Sequence, residues 1–303
     1  MDARSAVECL RGIVEIGGPD PGHYLDIVNA LNVIHAEDFV VECGLAKRIK
    51  QNEDLVELIA CNREVFDTTA SMQGFVRSRP HGYAGDFEII ERIYNRTISA
   101  APVIAKWDAF FHTAHAAEAV RNRAAILQSI SADIAPNSLL SVGSGPGLDL
   151  RPLIRSARPP EHVTLLDNDA NAISRSRANL LPFVQEGKTS IETECRNALR
   201  WKSERKFDLV WSSGLFDYLA DKTASFLLGR LRQTLTGNGV VVIGNFSHEN
   251  PSRAYSEVIG EWLLIHRDPK DLVRLAVDAG FDRARVEVTS DPTGVNLFLV
   301  ARA

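Results

Sequence analysis

The sequence predicts an α/β fold in which a mostly parallel sheet follows a helical N-terminal region. Apolar residues recur at helical spacing from about residue 20 to residue 130. From about residue 137, short apolar runs of strand length alternate with helical patterns, which is typical of parallel strands joined by right-handed crossovers. We therefore expect a helical domain over residues 1–130 and an α/β domain over residues 131–303.

The helical domain is predicted from three amphipathic stretches, residues 24–41, 54–66 and about 116–130. Between the last two, residues 79–86 read Arg-Pro-His-Gly-Tyr-Ala-Gly-Asp, which is rich in residues that interrupt regular structure. We expect a turn there and a helix over residues 87–94, with Asp86 as a candidate N-cap.

The α/β domain is predicted to end in an antiparallel strand, because two strand-like runs, 284–289 and 295–301, flank the turn Asp-Pro-Thr-Gly at 291–294. A third strand is expected to end near residues 194–199. The other predicted strands are residues 138–142, 162–166, 207–211 and 239–243, and the predicted helices are residues 150–157, 170–181, 224–235 and 269–279.

Composition narrows the class of partner. The 303 residues are 45% hydrophobic and 24% charged, and the formal net charge is -5 without long runs of one sign. A mildly acidic chain has no general electrostatic attraction for DNA or RNA, so we expect no nucleic-acid partner. No run approaches about 18 consecutive apolar residues, so we also expect no membrane span.

Cysteine usage favours a reducing compartment. The chain has four scattered cysteines without a C-x-x-C pair, which is a poor basis for disulfides or a zinc site. Residues 1–16 lack the apolar core of a signal peptide. We therefore expect a cytoplasmic protein that holds no metal. The cysteines are Cys9, Cys43, Cys61 and Cys195.

The most informative local pattern is a glycine-rich turn after the first predicted strand. It reads Gly-Ser-Gly-Pro-Gly-Leu-Asp over residues 143–149. Glycines permit positive φ and let a ligand lie against bare backbone. Leu148 stands at the sixth position, where the dinucleotide fingerprint G-x-G-x-x-G needs glycine, so the pattern argues against NAD. The predicted cofactor contacts here are Gly143, Ser144, Gly145 and Pro146.

Further polar residues follow the next strand ends. Asp167, 24 residues beyond Gly143, could accept hydrogen bonds from the ribose hydroxyls of a nucleoside, with Asn168 beside it. Asp167 could instead cap the following helix, although Asp169 is the better cap. Asn197 and Ala198 stand where an adenine edge could bind, or in a solvated turn. Ser213 and Gly214 follow the fourth strand and should face the reacting centre, since ligands of such sheets bind beyond the carboxyl strand ends.

Several longer segments resemble a bacterial group of class I S-adenosylmethionine-dependent methyltransferases. The group makes hydroxy-fatty-acid methyl esters, of the 3-hydroxypalmitic acid type. The resemblance begins near residue 75 and covers about three quarters of the chain, although the group usually has Tyr where this chain has His266. The matching segments are residues 82–88, 116–123, 141–147, 216–219, 244–246 and 261–267.

The resemblance implies a Rossmann-like methyltransferase sheet, S-adenosyl-L-methionine as cofactor and S-adenosyl-L-homocysteine as product. It also implies a small-molecule acceptor whose carboxylate becomes a methyl ester. A carboxylate is already ionised at pH 7 and needs no general base. The alternatives are N- or O-methylation of a specialised metabolite, with His248 or Tyr218 as base, and a protein that binds the cofactor without catalysis.

The helical domain supplies further candidate residues. Tyr83, between Gly82 and Gly85, is a candidate catalytic residue on a segment that could close over the cofactor, and Asp86 could contact the cofactor. Arg121 could pair with the cofactor carboxylate or be a solvated helix charge. The candidate acceptor contacts are His112, His115 and Trp262; the two histidines lack a carboxylate at useful spacing for a metal site.

Overall fold

The computed structural model describes residues 1–38, 52–184 and 187–303. It divides the chain into two compact units. The first contains Met1–Glu118 and Asn250–Leu264, and the second contains Ala119–Glu249 and Ile265–Ala303. The helix predicted over residues 24–41 is described as far as Asp38, and its remaining residues, like Cys43, lie outside the described ranges.

The α-helices within the described ranges are α1 Ala3–Glu15, α2 Tyr24–Asp38, α3 Glu53–Cys61, α4 Arg63–Phe66, α5 Met72–Ser78, α6 Phe87–Asn95, α7 Pro102–Thr113, α8 His115–Ile134, α9 Arg151–Ile154, α10 Ala170–Leu180, α11 Asp221–Arg232, α12 Arg253–Val258 and α13 Pro269–Asp278. The strands there are β1 Ser138–Val142, β2 His162–Asp167, β3 Ser190–Cys195, β4 Phe207–Ser212, β5 Leu235–Phe246, β6 Val286–Ser290 and β7 Asn296–Arg302. None of these helices is long and apolar enough to cross a membrane.

The first unit contains four helices that were not predicted, α1, α5, α7 and α12. Asp2 caps α1 by accepting a hydrogen bond from the backbone N–H of Ser5. The single helix predicted over residues 54–66 is wrong, because α3 ends at Cys61 and α4 begins at Arg63, with Asn62 between them. Asn62 has non-helical backbone angles and its side-chain amide donates to the Leu58 carbonyl at 2.7 Å, an alternative to helix continuation.

The second unit contains a seven-stranded sheet in the order β3-β2-β1-β4-β5-β7-β6. Strands β1 to β5 pair in parallel, and β7 runs antiparallel to both of its neighbours, β5 and β6. The predicted fold class, a parallel sheet with an antiparallel last strand and a helical N-terminal region, is confirmed. The strand order reverses direction between β1 and β4, and a crevice for ligand binding is expected beyond the carboxyl ends of strands at such a point.

Alternate residues of the strands face opposite sides of this sheet, as the pleat requires. Leu139, Leu209 and Val240 belong to the core on one side, with residues of α8, α9 and α10. Leu140, Val210 and Val241 belong to the core on the other side, with residues of α11 and α13. Both faces are therefore buried, and this packing fixes the positions of the strand ends that carry the candidate site.

Candidate functional site

The glycine turn leaves β1 at Val142 with left-handed backbone at three positions. Gly143, Gly145 and Gly147 have φ of 64°, 50° and 69°. The side-chain amide of Asn179 on α10 donates to the Pro146 carbonyl at 3.0 Å and so ties the turn to that helix. A Cβ at Gly147 would lie 3.1 Å from Cδ1 of Leu180, whereas one at Gly145 would meet no atom within 4 Å. Gly147 thus permits close packing, while Gly145 borders open space.

Asp167 joins the end of β2 to this turn. Its Oδ2 accepts a hydrogen bond from the Gly145 N–H at 2.9 Å, and its Oδ1 accepts one from the Asp169 N–H at 3.0 Å. Burial raises the pKa of Asp167 above its ordinary value, although both N–H donors oppose that shift. Asp169 caps α10 through the Asn171 N–H, as predicted. The structure therefore brings Asp167 and the glycine turn together.

The other residues predicted near the nucleoside have different surroundings. Ser144 is buried, and its Oγ has no hydrogen-bond partner within the described residues. Asn168 is exposed. Asn197 is also exposed, and its Oδ1 accepts from the Leu199 N–H at 2.8 Å, which forms the turn that was the alternative reading of this residue. Ala198 is half-buried against the apolar core, and adenine contact by this pair stays a prediction.

An acidic residue that was not predicted as part of the site binds the end of β4. Asp149, buried two residues after Gly147, accepts hydrogen bonds at Oδ2 from the Trp211 indole at 2.7 Å and from the Ser213 hydroxyl at 3.1 Å. It therefore connects the segment after the glycine turn to the predicted cofactor contact Ser213. The signal available in the sequence was an acid at the end of the glycine-rich motif.

A second feature that was not predicted is a buried polar cluster at the carboxyl ends of β4 and β5 and the start of β7, which we call the strand-end cluster. It contains Asp217, Arg123, Asn245, Asn296 and Arg267, each less than a tenth exposed. Arg267 Nη1 donates to Asn245 Oδ1 at 2.6 Å, and Arg123 Nε donates to Asn296 Oδ1 at 2.9 Å. Four of these residues belong to the segments quoted for the resemblance, and the fold brings these separate segments to one place.

Asp217 is the fully buried carboxylate of the strand-end cluster. Its Oδ1 accepts a hydrogen bond from the Phe246 N–H at 2.7 Å, and its Oδ2 lies 4.0 Å from Nη2 of Arg123. Desolvation raises the pKa of Asp217 to about 7, against the opposing charges of Arg123 and Arg267. This carboxyl therefore titrates near neutral pH.

The two candidate bases, Tyr218 and His248, both have exposed side chains in the second unit. The ring of His248 lies 6.3 Å from the ring of buried His266, measured between centroids. Tyr218 directly follows Asp217 and is 41% exposed. Gly214 lies beside Arg123, since a Cβ there would be 2.9 Å from Nη1 of that side chain.

In the first unit, Tyr83 is 40% exposed and stands between Gly82 and Gly85, which both have positive φ. Asp86 is buried and caps α6 by accepting from the Glu88 and Ile89 N–H groups at 2.9 Å each. The structure thus gives Asp86 the capping role that the sequence left open, and its contact with a cofactor stays a prediction.

The predicted acceptor contacts do not share one environment. His112 is buried, with Nε2 2.9 Å from the Thr97 carbonyl oxygen, whereas His115 is exposed at the start of α8. Trp262 is half-buried, and its backbone N–H donates to the Ser256 carbonyl at 2.9 Å. Arg121 is half-buried on α8. Acceptor contact by these side chains stays a prediction.

The central part of the second unit is similar to a known family. Residues 140–241, about a third of the chain, match a family model described as a methyltransferase domain. The matched range begins in β1 and ends in β5, so it includes the glycine turn, Asp167 and the end of β4. No curated protein matches the sequence.

Several solved structures share the fold. A possible exported protein from Bordetella parapertussis aligns with a TM-score of 0.59 at 18% identity, over 72% of this chain and 79% of its own. A candidate O-methyltransferase from Nostoc punctiforme aligns with a TM-score of 0.54 at 15% identity, over 99% of this chain and 94% of its own. Magnesium protoporphyrin IX methyltransferase from Synechocystis, with bound S-adenosylhomocysteine, aligns with a TM-score of 0.53 at 15% identity. The alignment covers 77% of this chain and 99% of that one.

Proposed function

We propose that this chain, an S-adenosylmethionine-dependent methyltransferase of the class I fold, methylates the carboxylate of a small organic acid and releases a methyl ester. The observation that carries the cofactor assignment is the hydrogen bond from the Gly145 N–H to Asp167, at the carboxyl ends of two neighbouring parallel strands. Bare backbone beside an acidic side chain suits a nucleoside, whose ribose hydroxyls donate to a carboxylate.

The surrounding residues fit the nucleoside part of this cofactor. The space beyond Gly145 accepts a ligand against the backbone, and the buried Ser144 hydroxyl has hydrogen-bonding capacity that no described residue uses. Asp167 still has lone pairs on both oxygens after accepting its two backbone hydrogen bonds. When bound, the cofactor supplies the electrophilic methyl group.

Two considerations favour a carboxylate acceptor. A carboxylate is ionised at neutral pH, so the protein needs only to position it and exclude water. The base candidates Tyr218 and His248 are exposed, whereas a base that removes a proton from a hydroxyl or an amine must be held close to it. The segments resembling the hydroxy-fatty-acid methyl ester group support a hydroxy acid as the acceptor.

Product chemistry tests the proposal. The protein is incubated with S-adenosylmethionine and 3-hydroxypalmitate, and with a panel of short organic acids, amines and phenols, and products are followed by mass spectrometry before and after mild base. A methyl ester gains the mass of one methylene and loses methanol in base. A methylated product that survives base would contradict ester formation.

A second candidate function is N- or O-methylation with a histidine base. The observation that favours it is the pairing of the exposed His248 ring with the buried His266 ring beyond the end of β5. A histidine base predicts that His248→Gln lowers kcat strongly, because the group that removes the proton is lost. Methylation of a carboxylate needs no base, so that reaction should tolerate the same substitution.

A further inference from the structure

Arg123 is a buried cation beside the predicted cofactor crevice. Its side chain projects from α8, is 5% exposed, and lies against Gly214 just beyond the end of β4. Leu215, the residue after Gly214, also packs against Gly143, since a Cβ at Gly143 would lie 3.1 Å from the Cβ of Leu215. The guanidinium of Arg123 therefore lies beside a segment, Gly214–Leu215, that packs against the glycine turn.

This guanidinium has unused hydrogen-bonding capacity. Its one hydrogen bond to the described residues runs from Nε to Asn296 Oδ1. Asp217 Oδ2 lies 4.0 Å from Nη2, too far for a hydrogen bond, and Phe246 lies with its ring centroid 5.7 Å from the guanidinium carbon. A guanidinium carries five N–H donors, and its two terminal nitrogens suit the bidentate recognition of a carboxylate.

The contacts that Arg123 does make hold its side chain in place. Asn296, which accepts from Nε, is fully buried and its own side-chain amide donates to the Leu297 carbonyl at 3.0 Å. The neighbouring Asn122 donates to Asp291 Oδ2 at 2.8 Å, so α8 is also fixed to the turn before β7. A cation held this rigidly, with its terminal donors unused, is preorganised for an anionic ligand.

We propose that Arg123 binds the carboxylate of the methionine part of the cofactor, in the place that the sequence analysis considered for Arg121. This inference rests on the proposed function, because it presumes that S-adenosylmethionine binds at the glycine turn. Two positive charges in one buried site repel each other, so an anion beside them, in addition to Asp217 at 4.0 Å from Arg123, is favourable. The methionine carboxylate is such an anion, and it belongs to the same molecule.

The acceptor carboxylate fits this position less well. A nucleophile that receives two charge-assisted hydrogen bonds from a guanidinium loses electron density at the oxygens that must attack. The cofactor carboxylate takes no part in the transfer, so strong binding there does not reduce reactivity. The geometry therefore favours the cofactor as the source of the carboxylate.

Two ligands that differ only in the amino-acid part provide the test. S-adenosylhomocysteine has the carboxylate, and 5′-methylthioadenosine keeps the nucleoside and the sulfur without it. Calorimetric affinities of both are measured for the wild type, Arg123→Leu, Arg123→Lys, Arg121→Leu and the surface control Arg205→Gln, whose partner is the exposed Glu192. We expect Arg123→Leu to lower the affinity for S-adenosylhomocysteine at least about tenfold, as for a lost charged hydrogen bond. The affinity for methylthioadenosine should stay unchanged.

Unchanged binding of methylthioadenosine also shows that a variant is folded, and Arg123→Lys provides a milder change if the leucine variant does not fold. Equal losses for both ligands, or none for either, would overturn the proposal. The proposal would also be overturned if only Arg121→Leu selectively lowered the affinity for S-adenosylhomocysteine. The same holds if Arg123→Leu changed only the KM of the acceptor. A wild type that binds neither ligand would instead refute the cofactor assignment itself.

Discussion

Asp167 and Asp208 are carboxylates of the same sheet in opposite positions. Asp167 ends β2 and accepts from Gly145, whereas Asp208 lies near the start of β4 and accepts from the Asn137 and Ser138 N–H groups. Several hydrogen bonds lower the pKa of Asp208, although desolvation opposes them. We expect Asp167 to bind the ligand and Asp208 to stabilise the fold, because ligands of such sheets bind beyond the carboxyl ends of the strands.

We predict that Asp167→Ala weakens S-adenosylhomocysteine binding at least about tenfold, the usual effect of removing a hydrogen bond to a charged group. Turnover at saturating cofactor should change much less, since ribose contacts exist in both the ground state and the transition state. Titration calorimetry checks the affinity. Asp208→Ala is the matched control and should lower the unfolding free energy while leaving the affinity unaltered; the reverse pattern would contradict the assignment.

Asp217 gives a pH prediction at the same scale. Its pKa is about 7 in the folded protein, against about 4 in an unfolded chain. Between these values the unfolded state releases the proton and the folded state keeps it, so the contribution to stability is full below about pH 4 and is lost as pH rises to about 7. Asp217→Asn stays neutral and lacks this loss.

Urea unfolding of the wild type and of Asp217→Asn across this pH range measures the difference directly. We expect the variant to gain stability relative to the wild type as pH rises, by up to about 1.4 kcal/mol per pH unit for one proton. Comparison of the two proteins cancels the contributions of the other titrating groups. Parallel stability curves would show that Asp217 titrates outside this range.

At the element scale, the glycine turn combines two separate requirements. Gly145 and Gly147 both have positive φ, so alanine costs about 1–2 kcal/mol of backbone strain at either position. A methyl at Gly147 would also press on Leu180 and Ser176, whereas a methyl at Gly145 would point into open space. The two substitutions therefore form a matched pair with equal strain and different surroundings.

We predict that Gly147→Ala lowers the unfolding free energy more than Gly145→Ala, because overpacking adds about 1–3 kcal/mol. Gly145→Ala should instead reduce the affinity for S-adenosylhomocysteine at least about tenfold, since the methyl occupies ligand space. Chemical unfolding and calorimetry measure the two effects. Equal losses of affinity in both variants would mean that the turn acts through its backbone conformation alone.

The Gly-Tyr-Ala-Gly-Asp turn before α6 supports another prediction of this kind. Tyr83→Ala is expected to lower kcat at least about tenfold, or about 1.4 kcal/mol in the barrier, with little loss of stability. The side chain is 40% exposed, so its removal leaves no large cavity. Tyr83→Phe then separates the ring from the hydroxyl, and wild-type kinetics in the alanine variant would make this segment a structural turn.

At the scale of the whole molecule, ligand binding is expected to stabilise the fold by mass action. S-adenosylhomocysteine at 100 times its Kd should add about 2.7 kcal/mol to the unfolding free energy. NAD should add nothing, because Leu148 occupies the place of the third glycine of a dinucleotide loop. Thermal unfolding with each ligand checks both statements, and a rise in Tm with NAD alone would contradict the cofactor assignment.

The sequence by itself determined the fold class and the outline of the cofactor site. Strand and helix periodicities act locally, so the alternation after residue 137 predicted the parallel sheet and its antiparallel last strand. The glycine turn and Asp167 were also predictable, because each follows directly from an apolar strand. Helix α1, the break at Asn62 and the extent of β3 were not predicted from these patterns.

Only the tertiary structure decided which distant residues meet. Arg123, Asp217, Asn245, Arg267 and Asn296 lie on five separate segments, and each looks like an ordinary polar residue in its own stretch. Residues 250–264 likewise belong to the helical unit although they follow β5 in the chain. Burial and charge pairing depend on the packing of segments that are far apart in sequence. The hydrophobic periodicity of one segment does not show which distant segment packs against it.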